Sequence, residues 1–113
     1  MNIEHGKFLE CIKKCCECRY YCQTTLFSHC LIKGEGHAAV EHVKAMIDCI
    51  EICQLAADFM MRNSRLYKFI CEACASACEY CAQSCEKIDD VEMRECAKIC
   101  HICAQICSRM SVN

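Results

Sequence analysis

Cysteine recurs through this chain in steps of three and four residues, and that period leaves little choice of fold. Four tracts carry it. The first runs Phe8, Cys11, Cys15, Cys18, Cys22, Thr25, His29 and the second His42, Met46, Cys49, Cys53, Ala56, Met60. The third runs Tyr67, Cys71, Cys74, Cys78, Cys81, Cys85 and the fourth Met93, Cys96, Cys100, Cys103, Cys107, Met110. Residues spaced this way share one face of an α-helix, the face a helix turns toward its core. Thiols therefore stand where leucine ordinarily packs. The 113-residue chain holds 17 cysteines, no tryptophan and no proline. A core with so few large side chains is under-filled by van der Waals contact alone, which implies another source of cohesion.

Breaks between the tracts are few and short. Lys33-Gly34-Glu35-Gly36 suits a connection between antiparallel helices. Asn63-Ser64 offers a C-terminal stop followed by an N-cap. Asp89-Asp90, with Glu92 three residues after Asp89, reads as a capping box built on Asp. Helices are expected at about 5–32, 37–62, 64–87 and 90–110. Loops this short return each helix beside the previous one, so the chain is expected to be all-α, a single domain over 1–113 forming an antiparallel up-down-up-down four-helix bundle. A second apolar stripe (Val40, Val43, Ile47, Ile50 on the second helix; Ile99, Ile102, Ile106 on the fourth) packs neighbouring helices or a second copy of the chain.

Charge excludes several roles. A formal net charge of −2 with mixed signs gives no footprint for nucleic acid and no polybasic membrane patch. No apolar run reaches the length of a membrane span. The N-terminus, Met1 to Lys7, lacks the basic and apolar regions of an export signal. A cytoplasmic, thiol-reducing compartment is therefore expected. No nucleophile–base pair, phosphate loop or paired acids mark a catalytic site, so an enzyme is not expected.

Cysteines four apart occur at 11/15, 18/22, 49/53, 74/78, 81/85, 96/100 and 103/107. On a helix such residues project to one face with Cβ atoms ~5–6 Å apart, so two sulfurs can converge on one ion. The steps at 15/18, 71/74, 78/81 and 100/103 join these clamps into a ladder. Charge then selects the ion. Thiolates packed in a low-dielectric interior must be neutralised. Tetrahedral Zn(II) on four thiolates leaves each site near −2, and the chain would make about four such sites. Cu(I) is soft, prefers sulfur and carries one charge, so about one ion per thiolate leaves the core near neutral. A zinc or cadmium sink, an iron–sulfur carrier on Cys71, Cys74, Cys78 and Cys81, and a thiol redox protein remain as rivals.

The CxxxC pairs on all four helices resemble the cytosolic class of the bacterial copper storage proteins. That resemblance implies a bundle, usually a homotetramer, holding many Cu(I) ions on the cysteines of the tracts, and the second helix departs from it in carrying only Cys49 and Cys53 on the stripe. A copper chaperone is a candidate partner.

Antiparallel threading brings the first and third loops to one end, with His29, Cys30, His37, His42, Met46, Cys85 and Cys96 nearby and His101 further in. Neutral ligands there would pass Cu(I) inward, and entry is expected at this end. Phe8, Phe59, Met60, Met61, Leu66, Tyr67 and Met110 collect at the other as an apolar plug. His29 and His42 fall on the stripe and His101 beside it, so all three are candidate ligands. Met46 extends the Cys49/Cys53 series as a candidate thioether ligand. Cys30 lies slightly rotated from the stripe and Cys16 one position off it; both are edge candidates.

Overall fold

The computed structural model describes residues 6–112. Helix α1 covers Leu9–Thr25 and continues through a π-helical turn, Leu26–Cys30, into a last α-turn, Leu31–Lys33. Helices α2 (Val40–Met61), α3 (Tyr67–Glu86) and α4 (Val91–Ser111) complete the set. Each packs against its neighbour in sequence, and α1 closes the ring against α4. The result is the antiparallel four-helix bundle expected, drawn out to 47 × 21 × 18 Å. No helix among the described residues is long and apolar enough to cross a membrane. The expected start of the first helix, at residue 5, lies outside the described residues.

Each connection has a local cause. Gly34 takes φ +75°, a backbone conformation that costs a side-chain-bearing residue energy. It is followed by a short 3-10 turn, Glu35–Ala38, so α2 begins at Val40 rather than 37. Asn63 stops α2 in the left-handed region at φ +51°. Ser64 N–H donates to the Phe59 carbonyl at 2.9 Å and Asn63 N–H to the Met60 carbonyl at 3.1 Å, the pair of bonds that satisfies the last carbonyls of a helix. Ser64 Oγ accepts from Leu66 N–H at 3.1 Å, and α3 starts at Tyr67.

The third connection departs from expectation. Asp90 alone caps α4, its Oδ1 accepting from Met93 N–H at 2.8 Å. Met93 thus holds the position that a capping box needs for its glutamate, and Glu92 falls one residue short. The Asp90 N–H is taken instead by the Ile88 carbonyl at 3.2 Å, and Asp89 pairs with Arg94 at 2.8 Å.

Sixteen of the cysteines are buried and only Cys16 is exposed. Around them the largest fully buried side chains are Phe8, Leu26, Met46, Met60 and Met93. The second apolar stripe straddles the surface: Ile50 and Ile106 are buried, Val40 and Ile102 exposed.

The π-turn in α1 changes the phase of its stripe. Successive steps of four drift around an α-helix of 3.6 residues per turn. A π-turn adds about one residue to the turn and cancels that drift. Leu26 and Cys30 therefore continue the buried face after Cys22, all three fully buried. His29, which strict α-helical spacing puts on that face, rotates outward and is half-buried, as is Thr25 just before the π-turn.

Candidate metal centre

The sulfurs form one network along the tube. Within helices, Cys18–Cys22, Cys74–Cys78 and Cys103–Cys107 lie 3.9, 3.8 and 4.0 Å apart. Most close approaches run between helices instead. Cys107 meets Cys11 at 3.6 Å and Cys15 at 3.5 Å, Cys18 meets Cys49 at 3.6 Å, and Cys53 meets Cys78 at 3.6 Å. Cys22 lies 3.4 Å from Cys100 and 3.7 Å from Cys96. With metal–sulfur bonds of about 2.3 Å, two sulfurs on a trigonal ion stand about 4.0 Å apart and on a linear one about 4.6 Å. The observed spacings need little adjustment to close on ions.

Three groups of four thiols each bring all their sulfurs within 4.8 Å of one another: Cys15, Cys74, Cys103, Cys107; Cys18, Cys53, Cys78, Cys103; and Cys18, Cys22, Cys49, Cys100. Ten cysteines fill the twelve positions, because Cys103 and Cys18 each serve two groups. Only Cys49 and Cys53 come from α2, yet both sit inside this array, so the thin stripe on that helix leaves no gap in the middle of the tube. Cys71 joins at the lower end through a hydrogen bond with Cys11. Cys85 lies near the upper end with Cys81 and Cys96.

Protons are distributed unevenly over the metal-free network. Burial pushes the Cys30 thiol up to about 11, helped by the negative charges of Cys96, Asp90 and Cys81. Cys71 is raised by its hydrogen bond with Cys11 and then by burial. Cys22 is raised through its bonds with Cys100, Cys18 and Cys49. Hydrogen bonds from Cys100 and Cys22 hold Cys81 down at about 7, and Cys107 and Cys15 do the same for Cys103, also to about 7. A sulfur that accepts S–H bonds keeps its charge, and its donors keep their protons.

The upper end grades from sulfur to nitrogen and oxygen. Met46 Sδ lies 3.5 Å from Cys81 Sγ and 3.7 Å from Cys85 Sγ. Met93 Sδ lies 3.6 Å from Cys30 Sγ, and His42 Nε2 lies 3.6 Å from the same sulfur. His42 is 4% exposed, and Ser84 Oγ sits 2.7 Å from its Nδ1. Burial lowers its pKa, so the ring is neutral and its Nε2 is free to bind an ion when Nδ1 carries the proton. Above this throat His29 and His37 both point Nε2 at Asp90 Oδ2, at 3.0 and 2.6 Å.

The far end is closed differently. Phe8 and Tyr67 pack edge to face at 4.8 Å between centroids, and Met60 is fully buried. Phe59 instead stacks under Arg62, while Met61 and Leu66 are exposed.

Most candidate residues therefore come together, with three corrections. Cys30 belongs to the buried column and His29 lies outside it, the reverse of strict α-helical phasing, because of the π-turn. His101 is not brought to the sulfurs: it lies between Glu79 (3.2 Å) and Glu86 (3.0 Å) on the α3–α4 surface, and its pKa is raised by Glu86 despite some burial. Cys16 faces solvent. Met93 was missed as a throat residue, although it precedes Cys96 by three residues just as Met46 precedes Cys49. His37 and Asp90 carried no periodic signal, since loops bring them together.

A continuous column of shared sulfurs inside a helical tube defines a thiol-lined metal-binding bundle. The family model described as copper storage protein matches residues 4–112, and the chain belongs to that family. Among solved structures, a protein of Nitrosospira multiformis is 39% identical, with a TM-score of 0.85, over 89% of this chain and 91% of that one. The apo copper storage protein 3 of Bacillus subtilis is 30% identical, with a TM-score of 0.84, over 93% and 99%. The Cu(I)-bound copper storage protein BsCsp3 is 32% identical, with a TM-score of 0.86, over 93% and 98%. No curated protein matches the chain significantly. The family read from the CxxxC ladder is thus the family found.

Proposed function

We propose that this chain stores Cu(I), holding many ions on the sixteen buried cysteines. The observation that carries this is the sharing of Cys18 and Cys103 between groups of four sulfurs. Separate tetrahedral zinc sites would each need their own four thiolates and would leave net negative charge in the core. Shared sulfurs suit bridged clusters of a monovalent ion, with charge cancelled about one for one. A relative of the same fold is known in a Cu(I)-bound form. The role is storage rather than catalysis. Anaerobic Cu(I) titration of reduced protein against a competing chelator tests it. Saturation on the order of the cysteine count is expected, and saturation at about four ions would sink the proposal.

Ions enter past His42, Cys30, Met93 and Met46, whose ligands grow softer with depth and add little charge. The protein works in the cytoplasm, where thiols stay reduced and a copper chaperone can deliver the metal. It acts as a homo-oligomer, a tetramer by family resemblance. A groove between α1 and α2 lined by Phe27, Ile47, Ile50 and Leu55 supports self-association, since Phe27 and Leu55 are exposed. Light scattering on Phe27→Glu should show a smaller assembly than the parent; an unchanged mass would remove this face from the interface.

A further inference from the structure

The two histidines above the throat meet a carboxylate, whereas His42 beneath them meets a thiol and a hydroxyl. His29, His37 and Asp90 each offer one donor atom, and the three donors lie within 4.8 Å of one another. They come from three separate stretches of backbone: the π-turn of α1, the 3-10 turn after Gly34, and the N-cap of α4. Asp90 Oδ1 is occupied by the Met93 N–H, which fixes the carboxylate and leaves Oδ2 facing both rings. Burial works against the Asp90 charge, yet hydrogen bonds from His37, Met93 N–H and His29 outweigh it and hold the carboxyl well below its usual range. Glu92 brings a further carboxylate oxygen to 3.9 Å from His29 Nε2 and is half exposed. All three principal residues are only partly buried, so ions reach them from solvent.

We propose that His29, His37 and Asp90 form a second metal site, for one borderline divalent cation of the zinc class, that latches the mouth of the tube. Two imidazole nitrogens and a carboxylate oxygen make a donor set suited to such an ion rather than to the soft monovalent cargo. Zinc bonds of about 2.0–2.2 Å require donors about 3.2–3.6 Å apart at tetrahedral angles. The two nitrogens already meet one oxygen at 3.0 and 2.6 Å, so small side-chain rotations admit the ion, with Glu92 or water completing its shell. A bound ion would tie the first loop to the third across the histidine-lined end of the tube.

The test begins with full-length protein saturated anaerobically with Cu(I), so that the thiolates are occupied, and then titrated with Co(II) as a coloured stand-in for zinc. One equivalent should bind with the weak visible bands of nitrogen and oxygen ligands and no sulfur-to-cobalt charge transfer. His37→Ala, which leaves the Asp90 cap intact, should weaken that binding by at least about tenfold. Added Zn(II) should slow withdrawal of Cu(I) by a chelator in the parent and have no effect in His37→Ala. Charge-transfer bands, absence of binding, or equal binding in the variant would overturn the site. Binding without slower withdrawal would overturn the latch. Circular dichroism of His37→Ala guards against misfolding, and His29→Gln offers an independent second variant expected to behave in the same way.

Discussion

At one end of the tube Phe8 meets Tyr67 edge to face, with the Lys7 ammonium 5.1 and 5.3 Å from the two ring centres. At the other, His29 and His37 share one carboxylate oxygen of Asp90 above His42, Cys30 and Met93. The first end is held by aromatic packing, apolar burial and a cation–π contact, in which the Lys7 ammonium already takes the cation's place against the rings. The second is held by polar and sulfur groups, each of which can trade a hydrogen bond for a metal bond. A tube that stores ions needs one end of each kind, and the sequence supplies them by what flanks the cysteines rather than by the cysteines themselves.

The largest expected effect tests the sealed end. Phe8→Ala should destabilise reduced, metal-free protein by about 3–5 kcal/mol in urea unfolding, while Cu(I) uptake keeps its rate. Faster uptake in that variant would mean that the plug is a gate and would collapse the comparison. At the open end, Met46→Leu combined with Met93→Leu preserves volume, so each change should cost under about 1.5 kcal/mol. Stopped-flow uptake should nevertheless slow by about tenfold or more, the effect of roughly 1.4 kcal/mol lost from the entry step. An unchanged rate would take the thioethers out of the path.

A smaller effect distinguishes the empty core from the filled one. Cys30 titrates at about 11 in the folded protein against an ordinary 9.0, so folding favours its neutral form. The stability this contributes is complete below pH 9 and is lost as the pH rises toward 11. Melting temperatures of reduced, metal-free protein should fall across that window, and Cu(I)-loaded protein, its thiolates already committed, should show no such fall. Cys30→Ala should shallow the decline in the empty protein. The smallest change expected is that of Cys16→Ser, which should leave Cu(I) capacity intact and stability within about 0.5 kcal/mol. A lost equivalent there would place Cys16 among the ligands.

The bundle and its lining were legible because a period of three and four is a direct statement about one helical face. Cys71, Cys74, Cys78, Cys81 and Cys85 could hardly be arranged otherwise. Phase was less secure where the helix itself changed: after Cys22, spacing alone cannot tell a π-turn from an α-turn, and His29 and Cys30 exchange roles on that one residue. Asp89 and Asp90 posed a similar choice, since either could cap, and only backbone geometry selects Asp90. Pairings across helices were not legible at all. The 3.4 Å approach of Cys22 to Cys100 depends on the relative height of α1 and α4, which no local pattern records. The meeting of His37 with Asp90 depends on two loops arriving together, and loops carry no period.

The cysteines of the column are at most 1% exposed. A full molecule and an empty one therefore present nearly the same exterior along their length. Any cellular component that must know how much metal is held, whether a protease culling spent copies or a carrier seeking a withdrawal, has only two signals to read: the state of the mouth, and the stiffness of the scaffold.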